Sequence, residues 1–331
     1  MKEKDNCSYI KLRPYQLLCI MCSIGENEYS KLKDEKFKQV LDAIRKDPNI
    51  PITLQCNVSS IYRYQNPGTD DNFQEGTLYN IKRDLDILQK LGLVPGATLP
   101  ARELFIRLLK EIKTVKGICF YDSVTSHDWK GCSNAKKGYY EKVLKKGISE
   151  IIPARSEEEK SKAKKDSVNK IYSAKKLFIR PHHLMCVTCF FGRGGTAPIK
   201  EDNLYEVLDT VCKNQDIPIT LIEGCCMICP PCSGYEPSTN LCVAGCGLRD
   251  EKKDLDVLQK LGLAYGATMK ARELYSLLFE KIHTGIEICG WSNGDTTSPE
   301  WTICSGVGEK AYEKGREMLI RKLALTVNEP F

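Results

Sequence analysis

Histidine is scarce in this chain, at four in 331 residues, and tryptophan scarcer still, at three. No Ser-His-Asp or His-Glu-x-x-His signature appears, and no Gly-x-x-x-x-Gly-Lys or dinucleotide-binding context accompanies the glycines. The glycine run GRGG (192–195) therefore reads as a loop. No stretch approaches the ~18 uninterrupted apolar residues of a spanning helix, which argues against a membrane partner. The first residues, MKEKDNCSYIKLRPYQLL, are charged and carry no apolar core followed by a small-residue cleavage site. The expected location is cytoplasmic.

Charge of one sign is also lacking. The 49 basic and 43 acidic residues are intermixed and leave a net charge of +6. Lysine-rich runs such as KAKKDSVNK (162–170) suit solvated surface better than a nucleic-acid footprint, so nucleic acid is not an expected partner.

What the chain has in excess is cysteine: 17 residues, an odd number. In a reducing compartment that points away from a disulfide framework, and clustered Cys-x-x-Cys spacing points to metal or redox chemistry.

The chain is also written twice. KLRPYQLLCIMC (11–22) returns as LFIRPHHLMCVTC (177–189), and NIPITL (49–54) as DIPITL (216–221). DLDILQKLGLVPGATLPAREL (84–104) returns as DLDVLQKLGLAYGATMKAREL (254–274). The order is kept and the offsets drift only slightly, which reads as a tandem duplication of one domain and not a short-period solenoid. The expected organisation is a first repeat over 8–150, a charged, exposed and partly helical linker over 151–176, and a second repeat over 177–325. Each copy reads as helix-rich α+β, with two short strands forming a small sheet. In the second copy KLFIR and IPITLIE read as the strands, with helices over NLYEVLDTVCKN, DEKKDLDVLQKLGL, MKARELYSLLFEKI and GEKAYEKGREMLI. The LQKLGL helices read as core-forming, without chemistry.

Duplication allows the cysteines to be compared internally. Cys19, Cys22, Cys119 and Cys132 in the first copy match Cys186, Cys189, Cys289 and Cys304 in the second. The sequence around Cys132 and Cys304 diverges while the thiol persists. Four thiolates per copy suit a tetrahedral metal or a cubane cluster, and Cys-x-x-Cys at a helix start lets two of them reach one centre. Each set of four is expected to form one cysteine-bound site.

GCCMICPPCSGYEPSTNLCVAGC (224–246) belongs to the second copy alone. Cys226, Cys229 and Cys232 have the spacing of a bacterial ferredoxin run. Cys242 is the expected fourth ligand, with Cys225 and Cys246 as alternatives. An iron–sulphur cluster, most simply [4Fe-4S], is the expected occupant, with zinc as the alternative. The first copy keeps only Cys56 there and shows Tyr62 and Tyr64 instead.

At IRPHHLMC (179–186), CMICPPC (226–232), DLDVLQKLGL (254–263) and the late Cys289 and Cys304, the second copy resembles the family known as domain of unknown function 1284. These are small cysteine-rich proteins of anaerobic bacteria and archaea. The resemblance implies an iron–sulphur protein, strengthens iron over zinc and names no substrate. The first copy departs from it, with Tyr15 and Gln16 in place of the two histidines. His182 and His183, at a helix start beside Cys186, are the candidate catalytic residues, able to hydrogen-bond cluster sulphur, shuttle a proton or ligate a metal.

The expected function is an iron–sulphur protein with up to three clusters, serving electron transfer to a redox partner protein or a larger anaerobic enzyme system. Two alternatives stand beside it. One is an enzyme using a site-differentiated cluster for substrate or sulphur chemistry. The other is a zinc-stabilised module that binds protein or nucleic acid.

Overall fold

The computed structural model describes residues 9–27, 29, 32–58, 61, 77–243, 247–290 and 301–327. The chain divides into two compact units, Met1–Ala154 and Arg155–Phe331. The fold is helix-rich with small mixed sheets. No helix among the described residues is long and apolar enough to cross a membrane.

Unit 1 runs β1 (Ile10–Leu12), α1 (Pro14–Asn27), α2 (Glu35–Lys46), β2 (Pro51–Leu54), α3 (Thr77–Leu91), β3 (Thr98–Pro100), α4 (Ala101–Glu111) and α5 (Tyr139–Lys146). β2 is the central strand. It pairs in parallel with β1, Ile10 opposite Ile52, and antiparallel with β3, Ile52 opposite Leu99. A parallel neighbour requires a crossover, and α1 and α2 provide it. Pro14 opens α1, where its missing N–H costs nothing. The next orphan donor is satisfied from far along the chain: Tyr15 N–H donates to Asp84 Oδ1 at 2.9 Å, and Arg13 Nε donates to Asp84 Oδ2 at 2.8 Å. Buried Leu12, Leu17, Ile20, Ile52, Leu54 and Leu104 gather beneath the sheet.

Unit 2 runs α6 (Glu157–Tyr172), β4 (Leu177–Ile179), α7 (Pro181–Gly192), α8 (Leu204–Lys213), β5 (Pro218–Leu221), β6 (Tyr235–Glu236), β7 (Leu241–Cys242), α9 (Gly247–Leu261), β8 (Thr268–Lys270), α10 (Ala271–Lys281), α11 (Ile286–Cys289) and α12 (Ala311–Lys322). Its main sheet has the order β4-β5-β8, with β4 parallel and β8 antiparallel to β5. The register matches that of the other sheet: Leu177 faces Ile219, and Ile219 faces Met269.

Three local expectations change. Each unit has a three-stranded sheet, because the residues before α4 and α10 pair with the central strand instead of beginning the helix. Thr53 and Thr98 hydroxyls meet at 2.7 Å, as do Thr220 and Thr268 at 2.8 Å, which fixes that extra strand. The segment 151–176, read as an exposed and partly helical linker, carries α6 and packs it into unit 2. A capping box between Ser156 and Glu159 starts it, Ser167 and Ile171 are buried, and Asn203 Nδ2 donates to Ser167 Oγ at 2.8 Å. Finally, the cysteine-rich loop holds a small hairpin, Tyr235 opposite Cys242.

The last helix of unit 2 lies close against the Cys-x-x-Cys helix. A Cβ on Gly315 would stand 1.9 Å from the Thr188 carbonyl oxygen, and one on Gly192 2.0 Å from that of Ala311. Only glycine admits α12 to this distance from α7.

Candidate metal centres

In unit 1, Cys19 and Cys22 are three residues apart on α1, so both side chains lie on one helix face. Cys119 follows α4 in a turn closed by its N–H to Val115 O at 2.8 Å. Cys132 N–H donates to Cys119 O at 2.7 Å, and Tyr79 Oη donates to the same oxygen at 2.5 Å. These bonds bring the distal loop back over α1. Cys19, Cys22, Cys119 and Cys132 together line one cavity of about 160 Å³, with Glu26 and Arg83 on its wall. Burial pushes the Cys22 thiol far up, and the nearness of Cys19, Cys119 and Cys132 adds to it. A bound metal would relieve the cost of ionising a thiol buried in this way.

In unit 2, Cys186 and Cys189 take the same positions on α7. Cys289 ends the short α11, and Cys304 sits where Gly306 lies beside both its sulphur and that of Cys189. A hydrogen bond from Cys289 draws the Cys304 thiol down to about 5, helped by the Gly306 N–H and by Lys253, while burial opposes it. Burial raises the Cys186 thiol, and Cys189 and Cys304 raise it further. None of the fifteen described cysteines is in a disulfide.

A cation stands beside each set in the same register of the DLD helix: Arg83 in α3 and Lys253 in α9. Arg83 lines the first cavity and lies 3.8 Å over the Tyr15 ring. Lys253 is buried. Burial lowers its pKa, but Cys289, Asp250 and Cys186 outweigh that and raise it, so it stays charged among thiols. These helices were expected to have no chemistry. The signal was present in RDLD and KDLD, where a basic residue precedes the first aspartate in both copies.

The central loop of unit 2 winds in successive three-residue turns. Cys229 N–H donates to Cys226 O at 3.0 Å, Cys232 N–H to Cys229 O at 2.8 Å, and Tyr235 N–H to Cys232 O at 3.0 Å. That pitch explains the Cys-x-x-Cys-x-x-Cys spacing. Backbone N–H groups point at the sulphurs: Cys226 to Cys229 Sγ at 3.3 Å, Ile228 to Cys226 Sγ at 3.5 Å, Gly234 to Cys232 Sγ at 3.4 Å. Arg155 clamps the loop from outside, donating to Pro230 O at 2.7 Å and Cys232 O at 3.2 Å. Cys225, Cys229, Cys232 and Cys242 line a cavity of about 290 Å³, together with His183 and Cys186. Cys225, expected only as an alternative ligand, is on that wall, and Cys226 is not. Cys246 and Tyr62 and Tyr64 of the first copy lie outside the described residues; Cys56 is buried.

No family model, curated protein or solved structure matches this chain.

The two histidines part company. His182 is buried, and both its backbone N–H, at 2.8 Å, and its Nδ1, at 2.7 Å, meet Asp254 Oδ1. Arg180 Nε holds the other Asp254 oxygen at 2.7 Å. Burial, then His183, lower the His182 pKa to about 4 against the pull of Asp254. It is a neutral ring donating from Nδ1. His183, half-buried, places Nδ1 3.1 Å from Cys226 Sγ. Its ring centroid is 4.5 Å from that of His182.

Proposed function

We propose that this is an iron–sulphur protein, built from two copies of one domain, whose two four-cysteine sets each hold a cluster, with the central cysteines of unit 2 as the candidate third site. Its role is electron transfer to a redox partner protein or to a larger anaerobic enzyme system. The observation that carries this reading is the convergence of Cys19, Cys22, Cys119 and Cys132 on one cavity. Among the described residues, three donor atoms come within 4.8 Å of one another in two places, and both lie around His183. Among the described residues no three thiols of either four-cysteine set come that close together, which suits a cluster whose irons each take one thiolate better than a single ion. The same order and register of the two sheets support the duplicated domain. The resemblance of unit 2 to domain of unknown function 1284 points the same way.

The donor set fits the group. Four thiols per site would ligate the cluster, and one buried cation apiece, with the Gly306 N–H beside Cys304 in unit 2, would offset the negative charge of a reduced centre. When bound, the cluster supplies one-electron redox chemistry. The chain's own residues hold the sulphurs apart, exclude water through the buried walls and keep Lys253 or Arg83 beside the charge. Anaerobic purification followed by iron, acid-labile sulphide and zinc analysis tests the reading. Brown protein with matched iron and sulphide is expected. Colourless protein carrying zinc and no sulphide overturns it.

A further inference from the structure

Two segments of unit 2 converge on one imidazole. His183 stands in the first turn of α7, and the loop after β5 brings Cys226 and Cys229 to it. The ligating atoms of His183, Cys226 and Cys229 all lie within 4.8 Å of one another, and both cysteines are buried. Cys226 Sγ and Cys229 Sγ are 3.9 Å apart. Two thiolates at ~2.3 Å from one tetrahedral ion stand about 3.8 Å apart. On a cubane each thiolate binds a different iron, so an iron–iron edge adds to their separation. The observed spacing is that of one ion.

We propose that His183, Cys226 and Cys229 form a mononuclear site for a borderline divalent ion, zinc or ferrous iron, separate from the four-cysteine sets. Two thiolates balance the charge of such an ion, and a mixed sulphur and imidazole donor set selects it over hard cations. The N–H groups of Cys226 and Ile228 already point at the two sulphurs, as outer-shell donors do in thiolate sites. The 3.1 Å between His183 Nδ1 and Cys226 Sγ is a few tenths of an ångström shorter than an occupied tetrahedron requires. A small rotation of the ring admits the ion. His183 and Cys229 also line the cavity of about 290 Å³, so the fourth position is reached from that cavity. Three protein ligands with one accessible position is the pattern of zinc sites that do chemistry.

A second trio, His182, His183 and Cys186, is equally compact. It is the weaker candidate. Cys186 belongs to the four-cysteine set, and Asp254 occupies His182 Nδ1.

The inference does not depend on clusters in the four-cysteine sets. The full chain, reduced and stripped of metal, is loaded with ¹¹³Cd and labelled with ¹⁵N-histidine. Beside the all-thiolate cadmium signals, one signal in the mixed nitrogen–sulphur range should show coupling to a single histidine. His183→Ala should remove that coupling, and Cys226→Ser should weaken this site tenfold or more. Cys232→Ser and Cys186→Ser should leave it in place. Absence of any histidine coupling in the native chain overturns the proposal, as does coupling that survives His183→Ala. Loss of the signal in Cys232→Ser would also overturn it, because the thiols would then act together across the cavity. The native-chain spectrum decides the matter even where a variant fails to fold. Its failure leaves iron and sulphide in the four-cysteine sets untouched, and their absence leaves this signal untouched.

Discussion

Asp84 and Asp254 occupy the same place in the two units and titrate in opposite directions. Burial lifts Asp84 to about 6, although Arg13 and the Tyr15 N–H pull it down. Burial pushes Asp254 up too, but the hydrogen bond from His182 and the charge of Arg180 win and lower it. One exchange, Tyr15 for His182, supplies the extra donor. Because folded Asp84 holds its proton where the unfolded chain has lost it, its contribution to stability is full below about pH 4. It fades as pH rises to about 6, by on the order of 2–3 kcal/mol. Urea unfolding at intervals from pH 4 to 7 should show this slope in the native chain, flattened in Asp84→Asn. An identical slope in both would refute the assignment. Lys253 makes a different prediction. Its charge sits among Cys186, Cys289 and Asp250, so Lys253→Met should lower the potential of the adjacent centre on the order of 100 mV in a redox titration. The centre in unit 1 should not move.

At the scale of elements, the crossing of α7 and α12 is the joint that seats the Cys-x-x-Cys helix. Gly315→Ala would drive a methyl group into the Thr188 carbonyl, and the expected cost is upwards of ~2 kcal/mol, read as a fall in Tm. Gly308→Ala, where the nearest neighbouring atom lies at 4.0 Å, is the control and should change little. Much of this level was legible in the sequence. Pro181 after LFIR marked the strand-to-helix step, and IPIT with β-branched residues marked the central strand. β3 and β8 escaped notice because three residues show no periodicity and run directly into a helix. The segment 151–176 looked like a linker because α6 buries only Ser167 and Ile171 beneath a lysine-rich surface. The two four-cysteine sets could be grouped because each thiol recurs in register. The central cysteines could not be sorted, since which thiol faces the cavity and which faces His183 depends on the direction of each turn in the loop. The value of Arg83 and Lys253 was hidden for a similar reason: a basic residue in a charged helix becomes distinctive only once it is buried.

For the whole molecule, the two compact units each carry their own core and their own four-cysteine set. Cys22→Ser should therefore remove the iron of unit 1 and leave that of unit 2, whereas Cys189→Ser should do the reverse. Equal loss from both in either variant would contradict independent centres. The central claim is tested most directly by counting iron, zinc and acid-labile sulphide in the anaerobically purified full chain. Two cubane clusters predict about eight iron and eight sulphide per chain, with one further divalent ion unmatched by sulphide. A chain that carries zinc alone, with no sulphide, would contradict the account.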